Sequence, residues 1–316
     1  MSLSDQVALY AIRTTGPTHL QTAWEEYGET GSLKRPDAER FGLFMDWLIT
    51  GRRENGQTIL QKFEAEHGAN LDPEERAELE KHKATHNGIY EVIALRPGTG
   101  VTVKDIFTDE ETEVADVSAS RSAAIWDVLL MRLRRLGGPA QAWGEAIVFS
   151  PLNRDELKFE LEAAYRTRKV YDSKLDWVSF LDSATPLLRV LEAEFRTRRK
   201  TIVDSEHVVE VSSDQELAAV IAQSGERWLD ERIPALGGRT PREAAADPEA
   251  RGFLMDLLKE YERNQACIPD GDDFAGYMNV APIVWMRQTL GLPIPKALAA
   301  RDKKIAAAGR RKKRSA

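Results

Sequence analysis

Residues 89–120 read IYEVIALRPGTGVTVKDIFTDEETEVADVSAS, and this stretch separates the chain from an all-helical protein. β-Branched and aromatic residues come in short runs broken by Pro97-Gly98 and by Asp109–Glu111, the pattern of successive hairpins. The runs predict three antiparallel strands, Ile89–Leu95, Val101–Phe107 and Thr112–Val117. The next run, IWDVLLMRLRRLGG (125–138), fits two readings. Leu129, Leu133 and Leu136 suit one face of a helix, whereas Val128, Leu130 and Arg132 suit a fourth strand. A strand is preferred because Gly144–Phe149 reads as a further strand that needs a partner. Residues 88–150 are expected to form a small antiparallel sheet or partly open barrel.

The flanks of this β region are helical. Upstream, Thr18–Tyr27 reads as a short helix ended by Gly28, Gly31 and Pro36. Asp37 is placed to cap a helix whose apolar face is Phe41, Phe44, Met45, Leu48 and Ile49. Asn55-Gly56 breaks it, and Thr58–Glu66 resumes. In LDPEERAELEKHKATHNG (71–88), Asp72 is an N-cap, Pro73 takes the first helical position and Glu75 completes a capping box. That helix is expected to run to Asn87-Gly88. Downstream, Arg154–Arg168 and Ala184–Arg196 read as amphipathic helices. KTIVDSEHVVEVSS (200–213) reads as a β-hairpin turning at Ser205-Glu206, and Ser213 with Glu216 caps a helix to about Gln223. The fold class is therefore α+β: an N-terminal helical part, a small antiparallel sheet, and a C-terminal helical part with a hairpin. The regions are 1–87, 88–150, 151–224, 225–300 and a basic tail at 301–316.

Composition narrows the function classes. The chain has 316 residues, 42% hydrophobic and 30% charged, with seven tryptophans, as a folded globular protein does. No apolar run approaches the ~20 residues of a membrane helix, and the N-terminus has no pattern of a secretion signal. One cysteine, Cys267, leaves no internal disulfide and no cysteine-cluster zinc site. A cytoplasmic setting is the expectation. Net charge is −7, but Lys303, Lys304, Arg310, Arg311, Lys312, Lys313 and Arg314, with Arg301, make the tail a +7 block on an acidic body. Such asymmetry is one signature of a nucleic-acid-binding arm. Internal basic clusters at Arg132, Arg134, Arg135, at Arg166, Arg168, Lys169 and at Arg196, Arg198, Arg199, Lys200 extend that reading, with Tyr90, Phe107, Trp126 and Trp143 as stacking rings.

The most heavily punctuated stretch is RWLDERIPALGGRTPREAAADPEARGFLMDLLKEYE (227–262). A helix bearing Trp228 must stop near Ile233, before Pro234. Gly237 and Gly238 allow a tight reversal. Thr240, Pro241 and Glu243 then form a capping box, Asp247-Pro248 repeats the device, and Phe253, Leu254, Leu257, Leu258 and Tyr261 share one face of the next helix. This is a helical corner. Through Trp228, Pro234, Leu236, Gly237, Gly238, Thr240, Pro241, Leu254, Leu257 and Leu258 it resembles the toxin-binding module of bacterial antitoxins of the MbcA/ParS/Xre type. It also resembles the C-terminal corner of large bacterial proteins that accompany SEC-C zinc modules, whose upstream order is similar to FGLFMDWLI, TILQKF, DIFTDEETEV and DVLLMRL here. The resemblance implies a protein-interaction surface.

Signs of chemistry are sparse. Glu78, His82 and His86 fall at i, i+4 and i+8 on the expected Asp72–His86 helix, where two histidines and a carboxylate share a face suited to a divalent metal. Asp105, Asp109, Glu110, Glu111, Glu113 and Asp116 alternate with apolar residues, as the wet face and turn of a hairpin do. GTG at 98–100 and LGG at 136–138 lack the lysine and βαβ setting of a phosphate loop, and there is no GxSxG elbow. The sequence reads as a non-catalytic protein that works through protein contacts and takes no cofactor, with nucleic-acid binding as the alternative and a metal-dependent enzyme as the third reading.

Overall fold

The computed structural model describes residues 2–28, 38–135, 137–200, 223, 225–266 and 283–295. The expected hairpin and helix at 201–222, Cys267 and the basic tail lie outside the described residues. The fold is α+β, with an open antiparallel sheet between helical ends.

The first helix, α1, spans Leu3–Glu26, well before the Thr18 start expected. Ser2 and Asp5 form a capping box, and Leu3, Val7 and Ala11 recur every four residues on a buried face. Gly16-Pro17 kinks this helix instead of ending it, with Gly16 at φ 70°. Next come α2 (Ala38–Asp46), a π-turn (Trp47–Gly51), α3 (Ile59–His67) and α4 (Pro73–Lys83). Capping boxes at Thr58/Gln61 and Asp72/Glu75 open α3 and α4; the Asp72 box was expected from the sequence and the Thr58 box was not.

α4 is shorter than expected. It stops at Lys83, and Thr85 opens the long central strand β1 (Thr85–Arg96). Asn87-Gly88 therefore lies within a strand. Gly88 is needed there because a Cβ would sit 2.2 Å from Oη of Tyr90, so this glycine marks a close approach and not a helix end.

The sheet continues with β2 (Gly100–Asp105), β3 (Glu111–Val114), β4 (Val128–Arg134) and β5 (Gln141–Phe149), in the order β3-β2-β1-β4-β5. A one-turn helix, α5 (Ala119–Ser122), carries the chain from one edge back to the far side of β1. All four neighbouring pairs are antiparallel. The two edges touch through one bridge, Val114 with Ala140, so the sheet curls without closing. Within the ambiguous run 125–136, Val128–Arg134 thus resolves as a strand. All seven residues of β4 are buried: Val128 and Leu130 face the helices, and Leu129, Met131 and Leu133 face the curled interior with Val92, Val101 and Val103. With both faces covered, the alternation that marks a half-exposed strand disappears.

Helices α6 (Arg154–Tyr171), α7 (Trp177–Ser183) and α8 (Thr185–Lys200) share a core with α1, α2, the π-turn and the sheet, centred on Phe44, Ile89, Leu130, Leu161 and Phe180. α7 was not foreseen. It meets the π-turn so closely that a Cβ on Gly51 would lie 2.0 Å from the carbonyl oxygen of Asp182. Gly51→Ala is expected to destabilise the protein by about 1–3 kcal/mol in urea denaturation. Gly42→Ala, in α2 with open space around it, is expected to be neutral or to stabilise by about 0.5–1 kcal/mol.

Candidate functional site

Residues 225–230 are helical, and the chain then builds the corner. Pro234–Leu236 makes a single 3-10 turn, and Gly237 and Gly238 reverse it at φ 66° and 76°. Helix α9 (Pro241–Ala246) starts with the Thr240/Glu243 box, and α10 (Pro248–Ala266) follows. The last described helix is α11 (Ile283–Thr289). Leu236, Leu254 and Leu258 are buried together with Ala244, Ala250 and Leu292. Three of the residues singled out for interaction therefore hold the corner together, and Pro241 is buried beside them. Trp228 and Leu257 pack only partly against this core, Gly237 is exposed, and Gly238 and Thr240 are half-buried. Phe253 departs from the expected buried face. It is 61% exposed, and Tyr261 is 38% exposed. Phe253, Leu257 and Tyr261 are four residues apart, so they form a stripe on one flank of α10; the ring of Trp228 meets that of Tyr261 edge-on at 5.7 Å.

The opposite side of α10 is charged and faces the sheet. Lys259 Nζ lies 2.6 Å from Glu91 Oε1 on β1 and 3.4 Å from Asp256. The same ammonium stands 5.3 Å from the ring of Trp126. Arg263 pairs with Asp127, whose other oxygen accepts from the amide of Ala124 at 2.7 Å. Glu260 accepts a 2.6 Å hydrogen bond from Ser150 at the end of β5. Deepest is Glu262, paired with Arg287 of α11 at 2.6 Å, both side chains 1% exposed. Its second oxygen accepts from Nε1 of Trp126 at 2.6 Å. Trp126 is held at φ 71°, a strained region for a bulky residue, by backbone bonds that thread Val92 between Trp126 and Asp127. Burial pushes the Asp256 carboxyl above its usual range, and Lys259 opposes that shift. Each of these carboxylates has a cation or a donor within reach, so the seam positions helices and exposes no reactive group.

None of this seam was visible in the sequence reading. Its one signal is the spacing of Asp256, Lys259, Glu260 and Arg263, a charged stripe at helical period. The same spacing describes a solvated helix face, and the partners on the sheet side lie 110 to 168 residues away.

The expected metal face is not assembled. Glu78 and His82 lie on α4, with His82 Nε2 4.0 Å from Glu78 Oε1 and 3.1 Å from Ser4 Oγ. His86 sits instead on β1, and its Nδ1 lies 2.9 Å from Asp182 of α7. The ending of α4 at Lys83 removes the shared face. Among the described residues no three His, Cys, Asp or Glu side chains gather as a metal site. Burial holds the His82 imidazole below its usual range, with Glu78 pulling the other way.

Of the residues read as a stacking and phosphate-contact surface on the sheet, several are engaged within the fold. Arg132 and Arg134 point inward, toward Asp46 at 3.3 Å and Glu78 at 3.7 Å, and are buried. The guanidinium of Arg134 covers Trp143 at 4.4 Å, and Tyr90 and Trp126 are core rings. No helix among the described residues is long and apolar enough to cross a membrane.

Residues 19–180 match the model of a family of unknown function, DUF7986. The match takes in just over half of the chain and the whole sheet, and the protein belongs to that family. No curated protein and no solved structure matches it. The seam therefore joins the family region, through Glu91, Trp126, Asp127 and Ser150, to a corner outside the matched residues.

Arg287→Met is expected to lower stability by about 3–5 kcal/mol, because it leaves the Glu262 carboxylate buried without its cation. Adding Glu262→Leu is expected to restore a large part of that loss in denaturant unfolding, although Trp126 Nε1 then lacks its acceptor.

Proposed function

We propose that this protein is a non-catalytic adaptor: the sheet and its helices carry the 225–262 corner, and the corner captures a partner protein. One observation carries the reading. α10 spends its charged side on the seam while Phe253, Leu257 and Tyr261, beside Trp228, remain on the flank that the sheet leaves uncovered. Large aromatic side chains held on a clamped helix lose little further freedom on binding, and aromatic anchors dominate the energetics of protein interfaces. The likeness of residues 227–262 to antitoxin modules points the same way. Of the residues named for interaction from sequence, Trp228 and Leu257 belong to the recognition surface; Leu236, Leu254 and Leu258 act indirectly, by holding its shape.

The partner is a protein with an apolar groove that accepts one helix face, rimmed by charges of both signs. The rim on this side carries Arg242 with Asp230 and Glu226, and Arg239 with Asp247.

Capture from cell extract with the full chain, beside Phe253→Glu and Leu257→Arg, tests this. Phe253→Glu is expected to leave the circular dichroism and melting curve unchanged and to remove a protein that the wild type retains. Leu257→Arg, partly in the core, is expected to remove the same protein with a modest loss of stability. Identical protein sets on wild type and Phe253→Glu contradict the reading.

A further inference from the structure

An open groove of about 490 Å³ lies where the π-turn meets the C-terminal end of α6 and the helix α7. Trp47, Leu175 and Pro186 give it an apolar wall, and Arg52, Arg53 and Arg168 stand at its rim. These arginines are not equivalent. Arg52 is neutralised by Glu26, with Nε 2.7 Å and Nη2 3.3 Å from the two carboxylate oxygens. Arg53 donates from Nη1 to the carbonyl oxygen of Gly56 at 3.2 Å and from Nη2 to Ser179 Oγ at 3.0 Å. Arg168 donates to Ser183 Oγ at 2.9 Å, and its guanidinium lies 5.7 Å from the ring of Phe180. Both are thus oriented by neutral oxygens, and among the described residues neither has a carboxylate within ion-pair distance.

Two further features bear on what the groove takes. Ser179 and Ser183 are one turn apart on α7, so the two guanidinium groups are anchored at points roughly 5–6 Å apart, a spacing that two linked phosphates can bridge. Two carboxylates line the groove as well, Glu26, which Arg52 neutralises, and Asp172, which leaves the three arginines a net positive rim. Asp176 caps α7 by accepting from the amide and hydroxyl of Ser179, and Asp172 accepts from the amide of Lys174. At the mouth Tyr171 stands 89% exposed, a ring with nothing stacked on it among the described residues. The wall of the groove is a π-turn, a local distortion that recurs at functional sites. All of the groove except Ser183 and Pro186 falls within the family region.

We infer that this groove binds a small phosphorylated molecule with a planar ring, of the size and chemistry of a nucleoside diphosphate. The guanidinium groups of Arg53 and Arg168 take the phosphates by charge-assisted hydrogen bonds, using donors that the serines leave free. Tyr171 and the Trp47 wall take the ring, and a groove of this volume admits it. The site is separate from the corner, so its failure leaves the adaptor reading untouched.

Titration calorimetry on the full chain at low salt tests the assignment with ADP, pyrophosphate and adenosine as probes. ADP is expected to bind, pyrophosphate to bind more weakly, and adenosine to give no heat. Arg53→Gln and Arg168→Gln are each expected to weaken ADP about tenfold or more, the loss of one charge-assisted contact. Both arginines are exposed, so the melting curves without nucleotide should match wild type. Arg166→Gln, two positions before Arg168 on α6 and outside the groove lining, is expected to bind ADP as wild type does. No heat with ADP, equal affinity for ADP in both groove variants and wild type, or pyrophosphate binding as tightly as ADP overturns the proposal.

Discussion

Glu262 and Arg287 meet inside the protein with both side chains almost wholly shielded from water, and Trp126 closes the third side of the pair. Around them, Lys259 reaches Glu91, Arg263 reaches Asp127 and Glu260 reaches Ser150. The constraint this imposes is severe. Burying an ion costs several kcal/mol of lost hydration, and only well-placed opposite charges and hydrogen bonds offset it. An apolar helix can slide or rotate on an apolar sheet with little change in energy, because the hydrophobic effect has no direction. A helix fastened to the sheet and its loops by four polar contacts, Lys259–Glu91, Arg263–Asp127, Glu262–Trp126 and Glu260–Ser150, can do neither. The seam thus fixes the angle at which α10 leaves the sheet, and with it which flank of α10 faces outward.

Much of the architecture was legible because local rules govern it. The capping box at Asp72, the reversal at Gly237-Gly238 and the Thr240 box are each decided within four residues, and each forms as the sequence indicates. The strand assignments within 88–150 held, and β4 resolved as a strand once its neighbours required one. Errors arose where the same residues serve two purposes. Asn87-Gly88 looks like a helix stop but allows the Tyr90 ring to pass over a strand, which moved His86 from a helix to β1. Gly16-Pro17 looks like a boundary but is a kink. The basic cluster at Arg132 and Arg134 looks like a surface because charges are usually solvated; here Asp46 and Glu78 draw both side chains inward. The seam was invisible because its pairs join residues far apart in sequence.

These facts connect fold to use. The family region supplies a curled sheet whose end, at Glu91, Asp127 and Ser150, is polar enough to hold a charged helix. The corner supplies that helix and turns its remaining aromatic residues outward. The arginine-rimmed groove belongs to the helices on the family side. The proposed partner surface and the proposed small-molecule groove share no residue.

The central claim is that the sheet and α10 form one cooperative unit because of the seam. Amide hydrogen exchange at increasing, sub-denaturing urea tests it directly. If the seam couples them, the protected amides of α10 and of β4 converge on the same opening free energy and the same urea dependence. If α10 instead exchanges through a separate opening, with a smaller urea dependence while β4 stays protected, the seam does not join them and the account fails.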